Sequence, residues 1–353
     1  MDQPTRAETT RAQRARRSPP TGRRVDLTGW PMDGDLLPAE YVLPLRWQRD
    51  DALDELTDYL TDLVTHVPVT VVDGSPEPLF AAHRAAWPPN VRHVPPAPWP
   101  GRNGKVAGVM TGVHLARAEA AVIADDDVRW TVAELRTALA LLDGADVVRV
   151  QNVFRPLPWH ARWDTARTLV NRGLGDDFPG TLVVRRSRLL HAGGYDGDVL
   201  FENLELIRTV VAAGGREVRA PGLCVARRPP SSRTFWSQRV RQAYDSFAQP
   251  ARLAAEAAVL PVLLAALVRR RPAPVVSVLG AVTLVAWHGR HRAGGAGVFP
   301  ASAVALAPVW LLERAVCTWV ALAMRLTGGV PYRGRRLVRA ASSVAALRRR
   351  AVL

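Results

Sequence analysis

Cysteine is nearly missing from this 353-residue chain: Cys224 and Cys317 are the only two, far apart, with no second thiol or histidine at ligand spacing. That argues against a disulfide scaffold and a structural zinc site, and it suits a reducing compartment. The start of the sequence lacks the apolar core of a signal peptide, so the first two-thirds are expected to stay in the cytoplasm. The Gly-x-x-x-x-Gly-Lys-Ser/Thr spacing of a P-loop is missing as well. No aromatic residue is interleaved with the arginines of 6–24, so that basic segment carries no base-stacking platform.

What the chain has in excess is arginine. The formal net charge is +15, and its arginines are heaped at 6–24 and 333–350, outside the parts that read as folded. Tails of this kind suit anionic lipid head groups as well as nucleic acid. The folded stretch 41–247 offers no basic face, and no nucleic-acid partner is expected. Residues 1–28, rich in Arg, Thr and Pro without periodicity, read as a disordered basic tail.

From 41 onward the pattern alternates. Short apolar runs at 41–47, 67–72, 91–94, 120–124 and 146–154 read as strands, with helical periodicity at 50–66, 76–87, 105–118 and 131–142 between them. Alternation at this spacing predicts βαβ units, an α/β fold and a mostly parallel sheet. Past 154 it loosens: helices are expected at 159–172, 188–194, 202–213 and 234–247, and strands at 180–184 and 217–226.

One stretch organises the rest. The apolar run 120–124 stops at three carboxylates, Asp125, Asp126 and Asp127. A buried strand ending so abruptly places them at the sheet edge where open α/β folds bind ligands. Adjacent carboxylates repel, and a hard divalent cation with oxygen ligands relieves this. The competing reading is an acidic turn before a helix, because Thr131 and Glu134 have capping-box spacing. Two further patterns invite the same pair of readings. Asp73-Gly74-Ser75 closes an apolar run and is either a nucleoside contact or a turn. Gly101-Arg102-Asn103-Gly104-Lys105 opens a helix and is either a phosphate cradle or a flexible loop.

Beyond 250 the character changes. Residues 253–268 and 272–287 are apolar runs, and a third, 298–324, is interrupted by Glu313-Arg314. Each of the first two falls short of the roughly 20 residues of a spanning helix, but flanking arginines can extend them. Rims of Arg, Trp and His favour membrane helices over a buried helical domain. The expected organisation is therefore 1–28 tail, 29–250 α/β domain, 251–326 membrane helices and 327–353 basic tail.

Taken in order, these patterns resemble the nucleotide-binding half of glycosyltransferase family 2, which has the GT-A fold. Four downstream stretches are similar too. They are Pro179-Gly180-Thr181-Leu182-Val183-Val184-Arg185-Arg186, His191-Ala192-Gly193-Gly194-Tyr195-Asp196, Phe201-Glu202-Asn203-Leu204-Glu205-Leu206 and Gln238-Arg239-Val240-Arg241-Gln242. The last looks like the Gln-x-x-Arg-Trp motif of membrane-embedded members, and the resemblance covers about 41–242. It implies a transfer from a nucleotide-diphosphate sugar to a lipid or glycan hydroxyl, at the cytoplasmic face of the membrane, with Mg²⁺ or Mn²⁺. By the same resemblance Asp73 and Ser75 belong to the base and ribose, and Lys105 to that region or the diphosphate. Asp125 and Asp127 form the D-x-D pair around Asp126, with Asp127 favoured as the direct metal ligand. Gln238 and Arg241 lie over a sugar. Two positions depart from the pattern. Asn203 stands where the family has its catalytic aspartate and cannot act as a base, so the role passes to Glu202, with Glu205 and Asp198 in reserve. Gln242 replaces the motif's Trp, which fits a single transfer better than a processive polymerase. These departures also motivate a second reading, a non-catalytic sugar-nucleotide-binding or scaffold subunit.

Overall fold

The computed structural model describes residues 36–353, apart from 51, 176, 178, 179, 333, 334, 352 and 353. The tail expected at 1–28 lies outside the described residues.

Eight strands form one sheet: β1 (Ala39–Leu45), β2 (Val69–Asp73), β3 (Arg92–Val94), β4 (Ala120–Ala124), β5 (Val128–Arg129), β6 (Val147–Phe154), β7 (Thr181–Arg185) and β8 (Glu217–Arg227). Their order is β3-β2-β1-β4-β7-β6-β8-β5. Pairs β1–β2, β1–β4, β2–β3 and β6–β8 are parallel. Strand β7 runs antiparallel between β4 and β6, and β5 is antiparallel to β8. The expected α/β class with a mostly parallel sheet is what the chain adopts.

Around the sheet lie α1 (Leu53–Leu63), α2 (Glu77–Ala86), α3 (Gly104–Leu115), α4 (Val132–Leu142), α5 (Trp159–Leu174), α6 (Arg186–His191), α7 (Glu202–Ala212) and α8 (Ser232–Tyr244). A 3-10 turn, Asp245–Ala248, continues from α8. Strand β4 shows why both faces are covered. Ala121 and Ile123 pack with Val106, Val109 and Val113 of α3, while Ala120, Val122 and Ala124 join the layer of Leu60 and Leu135. Each large apolar side chain buried in this way contributes roughly 1.5–3 kcal/mol. Helix α3 approaches β1 closely because Gly112 has no Cβ; one built there would lie 2.2 Å from Val42 Cγ1.

The apolar C-terminal part forms α9 (Pro250–Val268), α10 (Pro272–His291), α11 (Ala301–Ala305) and α12 (Ala307–Leu326). Helices α9, α10 and α12 are 19, 20 and 20 residues long. At 1.5 Å per residue they reach about 28–30 Å, the thickness of a bilayer's hydrocarbon core. They are long and apolar enough to cross a membrane. The run 298–324, expected as one segment, is two helices meeting at Leu306. Pro308 explains the break, because it has no N–H to continue the first helix but suits the first turn of the second. The last described segment, β9 (Val330–Tyr332), β10 (Arg335–Leu337) and α13 (Val344–Ala351), folds back on the α/β domain. There Leu200 and Phe201 donate their N–H groups to the carbonyls of Arg339 and Ala340, at 3.0 and 2.8 Å.

Helix α10 is docked on α5 through backbone contact. A Cβ on Gly289 would lie 1.9 Å from the Leu169 carbonyl oxygen. Gly289→Val should therefore cost about 1–3 kcal/mol by overpacking and lower the melting temperature in detergent. An unchanged melt would mean that the two helices are not this close.

Candidate active site

The direction of connection reverses around β1, which has β2 on one side and β4 on the other. The C-terminal ends of these strands open into a cavity of about 700 Å³, as expected of a topological switch point. Leu45, Val72, Gly74, Pro96, Lys105, Asp125 and Glu202 line it, together with residues of α8 and of the membrane-type helices.

Lys105 is the only lysine in the sequence. Its Nζ lies 2.5 Å from Asp125 Oδ1 and 2.7 Å from Glu202 Oε1. The loop before it is pinned by Asn103, which caps α3: its Oδ1 accepts from the Lys105 N–H at 3.1 Å and from the Tyr332 hydroxyl at 2.9 Å, and its Nδ2 donates to the Val199 carbonyl at 3.0 Å. Burial alone would lower the proton affinity of the ammonium, but Asp125 and Glu202 raise it by more, so Lys105 stays charged.

The three aspartates differ in their partners, although Asp125 and Asp127 share Arg227. Burial raises the proton affinity of Asp125, and Lys105 and then Arg227 reverse this, leaving it lowered. Asp126, which also lines the cavity, accepts from Trp47 Nε1. Asp127 Oδ2 accepts from Arg227 Nε at 2.8 Å, while its Oδ1 is buried with no partner among the described residues. Burial pushes Asp127 up to about 6 against the pull of Arg227, with Asp125 and Asp126 adding to the push. The capping box of Thr131 and Glu134 is also formed, so the turn before a helix is present on the residues that follow.

Asp73 is 1% exposed and is not on the cavity wall, although Val72 and Gly74 are. Its carboxylate accepts from the Ser75 N–H at 2.8 Å and sits 2.5 Å from His83 Nδ1 and 3.1 Å from His93 Nε2. Burial works against its ionisation, but the two imidazoles and Ser75 hold it at about 2. Asp73, His83 and His93 bring three metal-type ligand atoms within 4.8 Å, yet spacings of 2.5–3.1 Å are those of hydrogen bonds. The Ser75 hydroxyl accepts from the Trp47 N–H at 2.8 Å, which ties the end of β2 to that of β1.

Helix α8 has two faces. Phe235, Arg239 and Ala243, four residues apart, are buried. Arg239 reaches Asp164 of α5 at 3.1 Å and Glu313 of α12 at 3.6 Å, fixing the helix across the sheet edge. An adjoining face turns Gln238, Arg241 and Gln242 to the cavity, and Asp245 of the 3-10 turn continues that line. Glu202 and Asn203 line it from the first turn of α7. Of the reserve bases, neither Asp198 nor Glu205 is on the wall, and Glu205 Oε2 accepts from the Ser342 N–H at 2.5 Å.

Three functional candidates escape the sequence reading. Asp245 sits seven residues after Gln238, on the same helical face, so the periodicity of the Gln-x-x-Arg stretch could have found it. Arg227 ends β8 and meets aspartates about a hundred residues earlier in the chain, and no local signal marks such a pairing. Arg314 was read only as an interruption of an apolar run, yet it lines the cavity.

No protein-family model matches the chain, and none of the curated proteins does. Among solved structures it is similar to a mannosyltransferase from Pyrobaculum calidifontis in complex with GDP-Man and Mn²⁺, with a TM-score of 0.47 and 18% identity over 80% of this chain and 87% of that one. A glucosyl-3-phosphoglycerate synthase from Mycobacterium tuberculosis, in complex with Mn²⁺, UDP and phosphoglyceric acid, gives a TM-score of 0.38 and 16% identity over 57% and 74%. TarS from S. aureus gives 0.38 and 14% over 58% and 39%.

Proposed function

We propose that this chain is an inverting, metal-dependent glycosyltransferase. It would move a sugar from a nucleotide diphosphate to a hydroxyl on a lipid-linked acceptor at the cytoplasmic face of a membrane. The observation that carries this reading is on the cavity wall. There one ammonium holds Asp125 and Glu202 together; two residues on, and off the cavity wall, Asp127 keeps a buried oxygen without a partner among the described residues.

Asp125 and Asp127 would hold Mg²⁺ or Mn²⁺, because they offer carboxylate oxygens, the donor type that such hard cations take. When bound, that ion supplies Lewis acidity to the departing diphosphate. Lys105 and Arg227 sit on the same carboxylates and add fixed positive charge where the diphosphate gains negative charge. Asp73 and Ser75 shape the end of β2, where the nucleoside would lie, and Asp126 anchors the carboxylate turn through Trp47. Gln238 and Arg241 face the sugar from α8, and a single displacement by the acceptor inverts the anomeric centre. The membrane placement is supported by side chains such as Leu267, Val276, Leu284 and Trp319, which α9, α10 and α12 leave exposed. An apolar surface of this extent wants a partner, and lipid is the partner that three consecutive apolar helices suit.

The test uses full-length protein in detergent with a panel of nucleotide sugars, Mn²⁺ or Mg²⁺, and a membrane lipid extract. Nucleotide diphosphate should be released with one donor, faster with lipid, and not after chelation. A donor that binds but is never turned over would sink the transferase reading and leave a sugar-nucleotide-binding subunit.

A further inference from the structure

Three polar side chains on the cavity wall have buried atoms without a partner among the described residues. Arg314 of α12 is 1% exposed, yet its Nε and Nη1 are buried without a partner among the described residues. Gln242 Oε1 on α8 and Asp245 Oδ1 at the start of the 3-10 turn are buried and unpartnered in the same sense. All three residues line the cavity. Such atoms are costly in an empty protein and are satisfied when a ligand supplies the missing half of each hydrogen bond.

We infer that these groups seat the acceptor hydroxyl, that Asp245 takes its proton, and that the acceptor presents a neutral, hydroxylated headgroup rather than a phosphate. The inference rests on the transferase reading above. Asp245 and Gln242 offer acceptor atoms and need donors from the ligand, whereas Arg314 offers donors and needs an oxygen. A hydroxyl group supplies both. An ionised phosphate monoester supplies acceptors alone and would face the Asp245 carboxylate.

The other carboxylates near the site are engaged or elsewhere. Glu202 is held by Lys105 at 2.7 Å, and Asn203 beside it carries an amide. Asp245 is better poised. Burial pushes it up to about 7, opposed first by Arg241 of α8, assisted by Glu202 of α7, and opposed again by Arg314 of α12 and Arg167 of α5. A base with this proton affinity is effective near neutral pH. In the step, the Asp245 carboxylate receives the acceptor proton as the hydroxyl oxygen bonds to the anomeric carbon. The bond from that carbon to the diphosphate oxygen breaks, and the diphosphate leaves with the electron pair. The position also suits delivery from a bilayer. Arg314 lies on α12, a helix long and apolar enough to cross a membrane.

The experiment compares wild type, Asp245→Asn and Asp245→Glu with the donor found to turn over. Acceptors are diacylglycerol and a monoglycosyl diacylglycerol on one side, and phosphatidic acid and a polyprenyl phosphate on the other, all in mixed micelles. Binding of the nucleotide diphosphate is measured by calorimetry in parallel. Transfer should go to the hydroxylated lipids, and Asp245→Asn should lower kcat by about 10²–10³-fold while the nucleotide Kd stays the same. Because the base must be ionised, wild-type kcat should fall as pH drops through about 7, and Asp245→Glu should retain part of the rate with that acid limb displaced. Transfer to the phosphate lipids alone, or an Asp245→Asn kcat within about threefold of wild type, would overturn the assignment and leave the transferase standing. If wild type neither binds nor turns over any donor, the transferase reading falls, and this assignment with it.

Discussion

An Asp127→Ala variant should release nucleotide diphosphate about 10³-fold more slowly than wild type, and excess Mn²⁺ should not restore it. The argument starts from the carboxylate's surroundings. Asp127 has one oxygen bonded to Arg227 and the other buried without a partner among the described residues. Removing the side chain deletes that free oxygen and also strands the Arg227 guanidinium, which retains Asp125 Oδ2 at 3.4 Å. A factor of 10³ in rate is about 4 kcal/mol of transition-state stabilisation, within reach of one well-placed charge group. The control is Asp126→Asn. Asp126 is hydrogen-bonded to Trp47, whereas Arg227 bonds to Asp125 and Asp127, so replacing Asp126 should weaken the turn and change turnover by less than tenfold. Equal losses in the two variants would mean that the aspartates act as an undivided acidic patch, and the division of labour between them would be wrong.

The parts of this site that the sequence made legible share one property: they are local. The strand Ala120–Ala124 and its carboxylates could be read because a buried strand and its exposed end occupy adjacent residues. The same holds for the Gly-Lys helix start, where Asn103 caps the helix that begins one residue later. The antiparallel insertion of β7 between β4 and β6 left no such mark, since a five-residue apolar strand looks the same in either direction. Strand β5 is two residues long, too short for any period to show. Asp73 illustrates a different limit. Its strand end was readable, but the two histidines that surround it come from α2 and β3 and depend on the tertiary fold. The C-terminal arginines show the same limit. Their charge density is local and legible, but it gives no sign that Arg339 and Arg350 both reach Asp196 on the α/β domain.

Lys105→Arg should lower kcat by about 10²-fold, although the charge is kept, and Lys105→Met should lower it further and destabilise the fold. This chain uses arginine almost everywhere: of its 47 basic residues, Lys105 alone is lysine. The geometry explains why a compact cation belongs there. A single nitrogen lies 2.5 Å from Asp125 and 2.7 Å from Glu202, with the Lys105 side chain about one-fifth exposed. A guanidinium carries its donors on a rigid planar fork and cannot place one atom between two carboxylates in this way. It would push Asp125 off its place beside Arg227 and so misplace the group expected to hold the cation. In Lys105→Met the two carboxylates face each other with no cation between them, and breaking a largely buried pair of this kind costs about 3–5 kcal/mol. Thermal unfolding and nucleotide calorimetry separate the two effects. Lys105→Arg should melt near wild type and bind the nucleotide more weakly, whereas Lys105→Met should lose both stability and binding. If Lys105→Arg turned over at the wild-type rate, Lys105 would be acting only as a unit of charge, and the point-like ammonium would have no part in positioning Asp125.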